Sequence, residues 1–277
     1  MVECGSRPLT KPVRPRIRLR CGGNWSQSVR RFGVVEKLER MPEDWSRALA
    51  VVAHPDDLEY GAASAVAEWT DAGRDIAYLL VTRGEAGIDG LEQGESARVR
   101  EAEQRASAGV VGVSVVEFLG HRDGVIEDGV GLRRDLTAAI RRHRPEMLIT
   151  LNHHDTWGGK AWNTPDHRAV GRAALDAAGD AGNRWIFPEQ LREGGLEPWG
   201  GVRWVAVAGS PQPTHIAEVG TRSQERGIAS LSEHRTYLAA LDGAEPAEQA
   251  RSFLTGIMDS VERDHGVRGV AFEVYSR

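Results

Sequence analysis

Residues Ala48 to Ala53 form an uninterrupted apolar run that ends on His54-Pro55-Asp56-Asp57. A second run, Met147-Leu148-Ile149-Thr150-Leu151, ends on a Gly-containing loop and then Thr164-Pro165-Asp166-His167. Short runs of this kind read as buried strands. A helical pattern follows each: Gly61–Ala72, closed by Gly73 as a C′ residue, and Arg168–Ala178. Two strand-to-helix junctions, each crowded with ionisable side chains, therefore set the frame for the chain.

The same alternation continues between and beyond them. Strands are expected at 75–81, 114–118, 202–208 and near 269–275, with helices at 95–109, 132–143, near 222–241 and 247–261. Alternation of this type means parallel strands joined by crossover helices. The expected fold is α/β, a Rossmann-like doubly wound, mostly parallel sheet with helices on both faces. Residues 152–164 and 179–201 read as irregular binding loops, since long structureless loops are otherwise uncommon. No internal repeat and no low-complexity segment is evident.

In an open α/β sheet, ligands gather at the carboxyl ends of strands. His54, Asp56, Asp57 and His167 all fall there. A plain helix start explains part of the pattern, because Pro suits the first helical position and Asp the positive helix N-terminus. The second junction shifts the balance. Thr164 is a good N-cap and Pro165 a good first residue. His167 then sits in the first turn, where the helix dipole disfavours an imidazolium and favours the neutral form that ligates metals. Two His and one carboxylate, His54, His167 and Asp57, match the ligand set of a catalytic zinc site with an open position. Asp56 beside them is placed as a general base for water.

Composition bounds the alternatives. The chain has 277 residues, 40% hydrophobic and 27% charged, as expected of a soluble globular protein. No apolar stretch approaches the roughly 20 residues of a membrane span. No signal peptide is visible and Cys4 and Cys21 are too few for a disulfide framework, so a cytoplasmic location is expected. Residues 1–40 carry ten Lys+Arg against three Asp+Glu, while the whole chain has a net charge of −5. This defines a basic arm over 1–40 and an acidic domain over 41–277. The arm packs against that domain or touches a nucleic acid or membrane; the acidic body argues against extensive contact with nucleic acid.

The residues Ala53-His54-Pro55-Asp56-Asp57, Thr82-Arg83-Gly84-Glu85-Ala86-Gly87, Arg100, Val111-Gly112-Val113, Gly120 to Gly124 and Pro165-Asp166-His167 resemble the PIG-L/LmbE-like family of zinc-dependent N-deacetylases. The likeness covers roughly 46–240. It implies Zn2+ held by His54, Asp57 and His167, with Asp56 as general base. It also implies that Arg100 binds sugar hydroxyls and that Asp123 lines the sugar site. Two departures stand out: Leu58 then Glu59 follow the first motif where many members have Glu directly, and Thr164 stands where many have an oxyanion-supporting His. His215 is the preferred substitute for that histidine and His154 the second.

Arg83 to Gly87 lacks the ending of a phosphate loop and reads as a wall of the metal site, with Arg83 toward substrate. No Gly-x-Ser-x-Gly elbow is present. His153 and His154 are adjacent, so at most one faces the metal. Trp157 and Trp162 read as a platform for a sugar or aromatic substrate, against the alternative of ordinary core. The expected activity is removal of an acetyl group from an N-acetylglucosaminyl conjugate. The likeness leans toward deacetylases of teicoplanin-type glycopeptide pseudoaglycones in antibiotic biosynthesis. The alternatives are a mycothiol-like aminosugar deacetylase and a non-catalytic, metal-containing sugar-binding protein. The expected partner is a small-molecule or glycoconjugate substrate, with a possible homo-oligomer.

Overall fold

In a computed structural model, the structure describes residues 37–242 and 245–277. Cys4, Cys21 and nearly all of the basic arm lie outside the described residues. Strand β1 (Glu39–Arg40) is already part of the sheet, so the folded body begins before residue 41.

The elements that follow are β2 (Arg47–Val52), α1 (Asp57–Gly61), α2 (Ala63–Asp71), β3 (Asp75–Leu80), α3 (Gln93–Val110), β4 (Val115–Phe118), α4 (Val130–His143) and β5 (Met147–Leu151). A small hairpin, β6 (Thr156–Trp157) and β7 (Ala161–Trp162), precedes α5 (Pro165–Asp180) and the short α6 (Glu189–Arg192). The chain ends with β8 (Trp204–Ala208), β9 (His215–Glu218), α7 (Thr221–Ser232), α8 (Arg235–Asp242), α9 (Pro246–His265) and β10 (Gly269–Ser276).

Among the described residues, eight strands form one sheet in the order β1-β9-β10-β8-β5-β2-β3-β4. Strands β4, β3, β2, β5 and β8 are mutually parallel, and β10 runs antiparallel between β8 and β9. The chain leaves β2 in one direction toward β3 and β4, then returns to β5 on the other side. The switch point of the sheet thus lies between β2 and β5, where the crevice of a doubly wound fold opens. Both junctions lead out of it.

Strand β2 shows why its run is apolar throughout. Ala48, Ala50 and Val52 enter one core layer, with Tyr78, Leu80, Ile149 and Phe272. Leu49 and Val51 enter the other, with Leu79, Leu148 and the alanine face of α5, Ala169, Ala173, Ala174 and Ala177. Alternate residues point to opposite faces, and both faces are covered.

Several boundaries differ from expectation. The first helix begins at Asp57 rather than Gly61 and breaks at Ala62 before α2. The stretch near 222–241 is two helices, because the chain turns at Glu233 and His234. His215 opens a strand rather than sitting in a loop. The loop 152–164 holds the β6–β7 hairpin. Among the described residues, no helix is long and apolar enough to cross a membrane.

Candidate metal and catalytic site

The turn after β2 forces two adjacent carboxylates apart. Asp56 lies in the left-handed region at φ 86°, a position that costs a non-glycine residue about 1–2 kcal/mol. Its backbone N–H donates to Gln104 Oε1 at 2.9 Å, and its carbonyl accepts from Tyr60 N at 3.0 Å. Gln104 is fixed in turn, since its Nε2 donates to Glu59 Oε1 at 2.8 Å. Asp57 folds back on the strand end, where its Oδ2 accepts from Ala53 N at 3.1 Å and His54 N at 2.9 Å.

The second junction behaves as its sequence predicts. Thr164 Oγ1 accepts from His167 N, and Pro165 occupies the first turn of α5. This brings His167 Nε2 to 3.0 Å from Asp57 Oδ1. His54 Nδ1 lies 3.6 Å from Asp57 Oδ2, and the two imidazoles meet edge to face with centroids 5.2 Å apart. One donor atom from each of His54, Asp57 and His167 lies within 4.8 Å of the others.

The surroundings test whether a metal fits. His54 Nε2 is 3.1 Å from both Asp123 Oδ1 and Asp166 Oδ2, so those carboxylates take its N–H and leave Nδ1 with a lone pair. His167 Nδ1 is 2.9 Å from Asn163 Oδ1, which leaves Nε2 free on the Asp57 side. Asn163 is fully buried and held by its own donation to the carbonyls of Asn152 and His154. Two nitrogens and one carboxylate therefore converge, with each ring oriented by a partner behind it, as at a catalytic divalent-metal site.

A second trio, His54, Asp123 and Asp166, is equally compact. Its oxygens are already committed: Asp166 accepts from the N–H groups of Gly124 (2.7 Å) and Ile126 (3.1 Å), and Asp123 Oδ2 from Ala86 N (2.8 Å). That trio is the orienting shell for His54.

Electrostatics separate the paired acids. Burial pushes Asp57 up, but the His167 and His54 imidazoles outweigh it and hold the carboxyl well below the usual range. Burial also pushes Asp56 up, the Arg100 guanidinium pulls it down, and Asp57 adds to the rise; the result is about 6. A base with such a value suits proton transfer near neutral pH. Burial lowers the His54 pKa, yet Asp57 and the bonds to Asp123 and Asp166 carry it well above its ordinary value. A proton and a cation thus compete for His54, and metal affinity must rise with pH.

Arg100 is not where a sugar could reach it. It is 3% exposed; its Nη2 donates to Pro55 O at 2.5 Å, stands 3.0 Å from Asp56 Oδ2, and its guanidinium lies 3.8 Å from the Tyr237 ring centroid. The loop Arg83 to Gly87 wraps it: a Cβ on Gly84 would sit 2.9 Å from Arg100 Cδ, and one on Gly87 would collide with the guanidinium. That packing is what the glycines are for. Arg83 itself donates to Glu101 Oε2 and Leu119 O, at the rim.

Two histidines are also elsewhere. His154 Nε2 is 2.7 Å from Glu273 Oε2 on β10, and its ring stacks on His153. His215 lies on β9, next to Thr214 Oγ1 at 2.8 Å and Glu39 at 3.7 Å. Three strands separate β9 from β2, which places the two about 19 Å apart. His215 shares the sheet edge with the cluster but does not reach it, because antiparallel β10 intervenes. Of the two tryptophans, Trp157 stands edge-on to His167 at 5.8 Å between centroids, as a wall of the cluster. Trp162 is 68% exposed on the hairpin, with Arg168 over its ring.

Four contributors carried no expectation: Asn163, Asp166, Gln104 and Tyr237. Asp166 sits inside the second motif and Asn163 just before it, so proximity alone could have flagged them. Gln104 and Tyr237 have no such signal.

Comparison with known proteins finds relatives in sequence and in fold. The family model described as PIG-L: GlcNAc-PI de-N-acetylase matches residues 49–178, which include His54, Asp56, Asp57, Asp123 and His167. The diacetylchitobiose deacetylase of Thermococcus kodakarensis is 29% identical over 148 residues, 53% of this chain and 54% of that enzyme, so the matched part spans about half its length. The 1D-myo-inositol 2-acetamido-2-deoxy-alpha-D-glucopyranoside deacetylase of Kineococcus radiotolerans is 30% identical over 275 residues, covering 76% of this chain and 74% of its own. Among solved structures, the N,N′-diacetylchitobiose deacetylase of Pyrococcus horikoshii superposes with TM-score 0.74 at 24% identity, covering 84% of this chain and 85% of that one. A teicoplanin deacetylase shares the fold at TM-score 0.57 and 16% identity, over 83% and 98% of the two chains.

Proposed function

The chain belongs to the PIG-L, GlcNAc-PI de-N-acetylase family, and from that premise we propose that it is a metal-dependent hydrolase that removes the acetyl group from an N-acetylglucosaminyl conjugate. The observation that carries this reading is the split pair Asp56 and Asp57. One carboxylate faces two oriented imidazoles, and its neighbour is kept apart from them and raised toward neutral pH. A non-catalytic sugar binder would need only the first.

His54, Asp57 and His167 would hold the cation, and zinc is the proposed occupant, given two nitrogens and one oxygen as donors. When bound, the cation supplies Lewis-acid polarisation of the amide carbonyl. Asp56 accepts a proton from the attacking water as its oxygen bonds to the carbonyl carbon. It then returns that proton to the sugar nitrogen as the C–N bond breaks, giving acetate and a free amine. Asn163, Asp123 and Asp166 keep both imidazoles in the ligating tautomer. Trp157 and Trp162 offer aromatic faces to the sugar, on the side of the hairpin.

Two conjugates are supported equally. The Kineococcus relative favours an N-acetylglucosaminyl inositol, and a glycopeptide pseudoaglycone is the second candidate, since a teicoplanin deacetylase shares the fold. Acetate release from zinc-loaded protein tests the reading, with N,N′-diacetylchitobiose, the inositol conjugate and the pseudoaglycone assayed in parallel. Release from at least one is expected; none from any, with stoichiometric metal bound, would overturn the reading.

A further inference from the structure

Tyr237 belongs to no motif, yet it closes on a buried ion pair beside the cluster, Arg100 with Asp56. Its ring centroid is 3.8 Å from the Arg100 guanidinium carbon, and the Asp56 carboxylate, 3.0 Å from that guanidinium, pushes the Tyr237 hydroxyl pKa up. Arg100 is therefore clamped on two sides, by the Gly84–Gly87 loop and by this ring. The clamp matters because Arg100 contacts both Pro55 O and Asp56 Oδ2. Moving the guanidinium would move the base.

The helix that carries Tyr237 is itself tied to the buried layer beneath Asp56. Thr236 N donates to Glu103 Oε1 at 2.5 Å, and Leu238 N donates to His234 O at 2.8 Å. His234 is fully buried, 3.6 Å from Glu59 Oε2. Glu59 orients Gln104, which holds the Asp56 backbone in its left-handed conformation. Two routes thus run from α8 to Asp56, one through side chains to the carboxylate and one through Glu59 and Gln104 to the peptide.

We propose that Tyr237 is a positioning residue for Asp56: its hydroxyl fixes the carboxylate rotamer and its ring fixes Arg100 beside it. The role is one of placement, since Tyr237 is partly buried against Arg100. Asp56, unaided, has rotamers that point its oxygen away from the attacking water, and a misplaced base loses rate without losing substrate affinity.

The kinetic arm of the test rests on the deacetylase reading and uses zinc-loaded full-length protein with N,N′-diacetylchitobiose. Tyr237→Phe keeps the ring and removes only the hydroxyl. It should lower kcat about tenfold, the scale of one hydrogen bond to a charged group, with KM and zinc content unchanged. Tyr237→Ala should lose more. Unchanged kcat in Tyr237→Phe would overturn the proposal. So would a rise in KM alone, which would make Tyr237 a substrate contact.

A second arm needs no substrate. Tyr237→Phe should lower the melting temperature in the otherwise native chain but not when combined with Asp56→Gly, which removes the carboxylate at a left-handed position glycine tolerates. Equal shifts in both backgrounds would overturn the contact. A protein that released no acetate but kept this coupling would refute the deacetylase reading and leave the positioning role standing.

Discussion

Between Leu49 and Ala178 the chain places every donor of the metal cluster near the carboxyl end of a parallel strand. Between Val202 and Arg277, among the described residues, it adds β8, β9, the antiparallel β10 and three helices, and none of those donors. The first region makes its site from short contiguous segments: His54 to Asp57, Gly84 to Gly87 and Asn163 to His167. The second contributes isolated side chains that arrive from far along the chain, His234 and Tyr237 below Asp56 and Glu273 against His154. The contrast is between a region that carries the cluster together with the neighbours that orient it, Asp123, Asn163 and Asp166, and a region that reaches Asp56 and His154 from outside. The family match stops at residue 178, where that division falls.

The strongest way to break the contrast is to remove a donor. His167→Ala should lose stoichiometric zinc by elemental analysis and drop acetate release to background, because one imidazole and one carboxylate cannot hold a catalytic metal. Zinc retained at one per chain in this variant would move the site elsewhere, to the trio of His54, Asp123 and Asp166.

Asp56→Asn should come next. The amide matches the carboxylate in size, so zinc content and KM should stay, while kcat falls by about 10²–10⁴-fold for loss of a general base. Near-native kcat would mean that another group takes the proton. Asn163→Ala should act on affinity rather than on the chemical step. It removes the acceptor behind His167 Nδ1 and should weaken zinc binding about 10–100-fold, measured by competition with a chelator. A variant with unchanged affinity would show that the helix start alone orients His167.

The difference between the regions also explains what the sequence made legible. The ligands were readable because their geometry is local. A strand end, a proline-led helix start and an N-capping Thr164 fix where His54, Asp57 and His167 point, whatever the rest of the chain does. Arg100 was readable as important but not as buried. Its burial depends on the Tyr237 ring, and α8 exists only because the chain turns at His234, a break that no local propensity signals. Asn163 and Asp166 lay in plain view next to His167, but the rule that a ligating imidazole needs an acceptor behind it names a partner type, not a position. The parallel direction of the strands, though not their order in the sheet, likewise followed from alternation as far as β8. Beyond it, β10 entered antiparallel between β8 and β9, which alternation by itself does not foresee.

That last departure gives the smallest expected effect. A histidine following β8 by a short loop would flank the cluster if the strand after it were the next parallel neighbour. His215 instead begins β9, and β10, β8 and β5 stand between it and β2. Its Nδ1 is beside Thr214 Oγ1, and Glu39 is 3.7 Å from Nε2. An oxyanion donor must sit within hydrogen-bonding distance of the reacting carbonyl, and losing one costs about 10²–10³-fold in kcat. Separated by about 19 Å, well beyond the reach of a side chain and its hydrogen bond, His215 cannot fill that role. His215→Ala should therefore leave kcat and KM on N,N′-diacetylchitobiose unchanged, while loosening the edge pairing of β1 enough to lower the melting temperature slightly. His154→Ala should weaken catalysis modestly, through the loop that Asn163 and Glu273 hold in place. A loss of two orders of magnitude in kcat for His215→Ala would bring the second region into the chemistry and erase the division between the two.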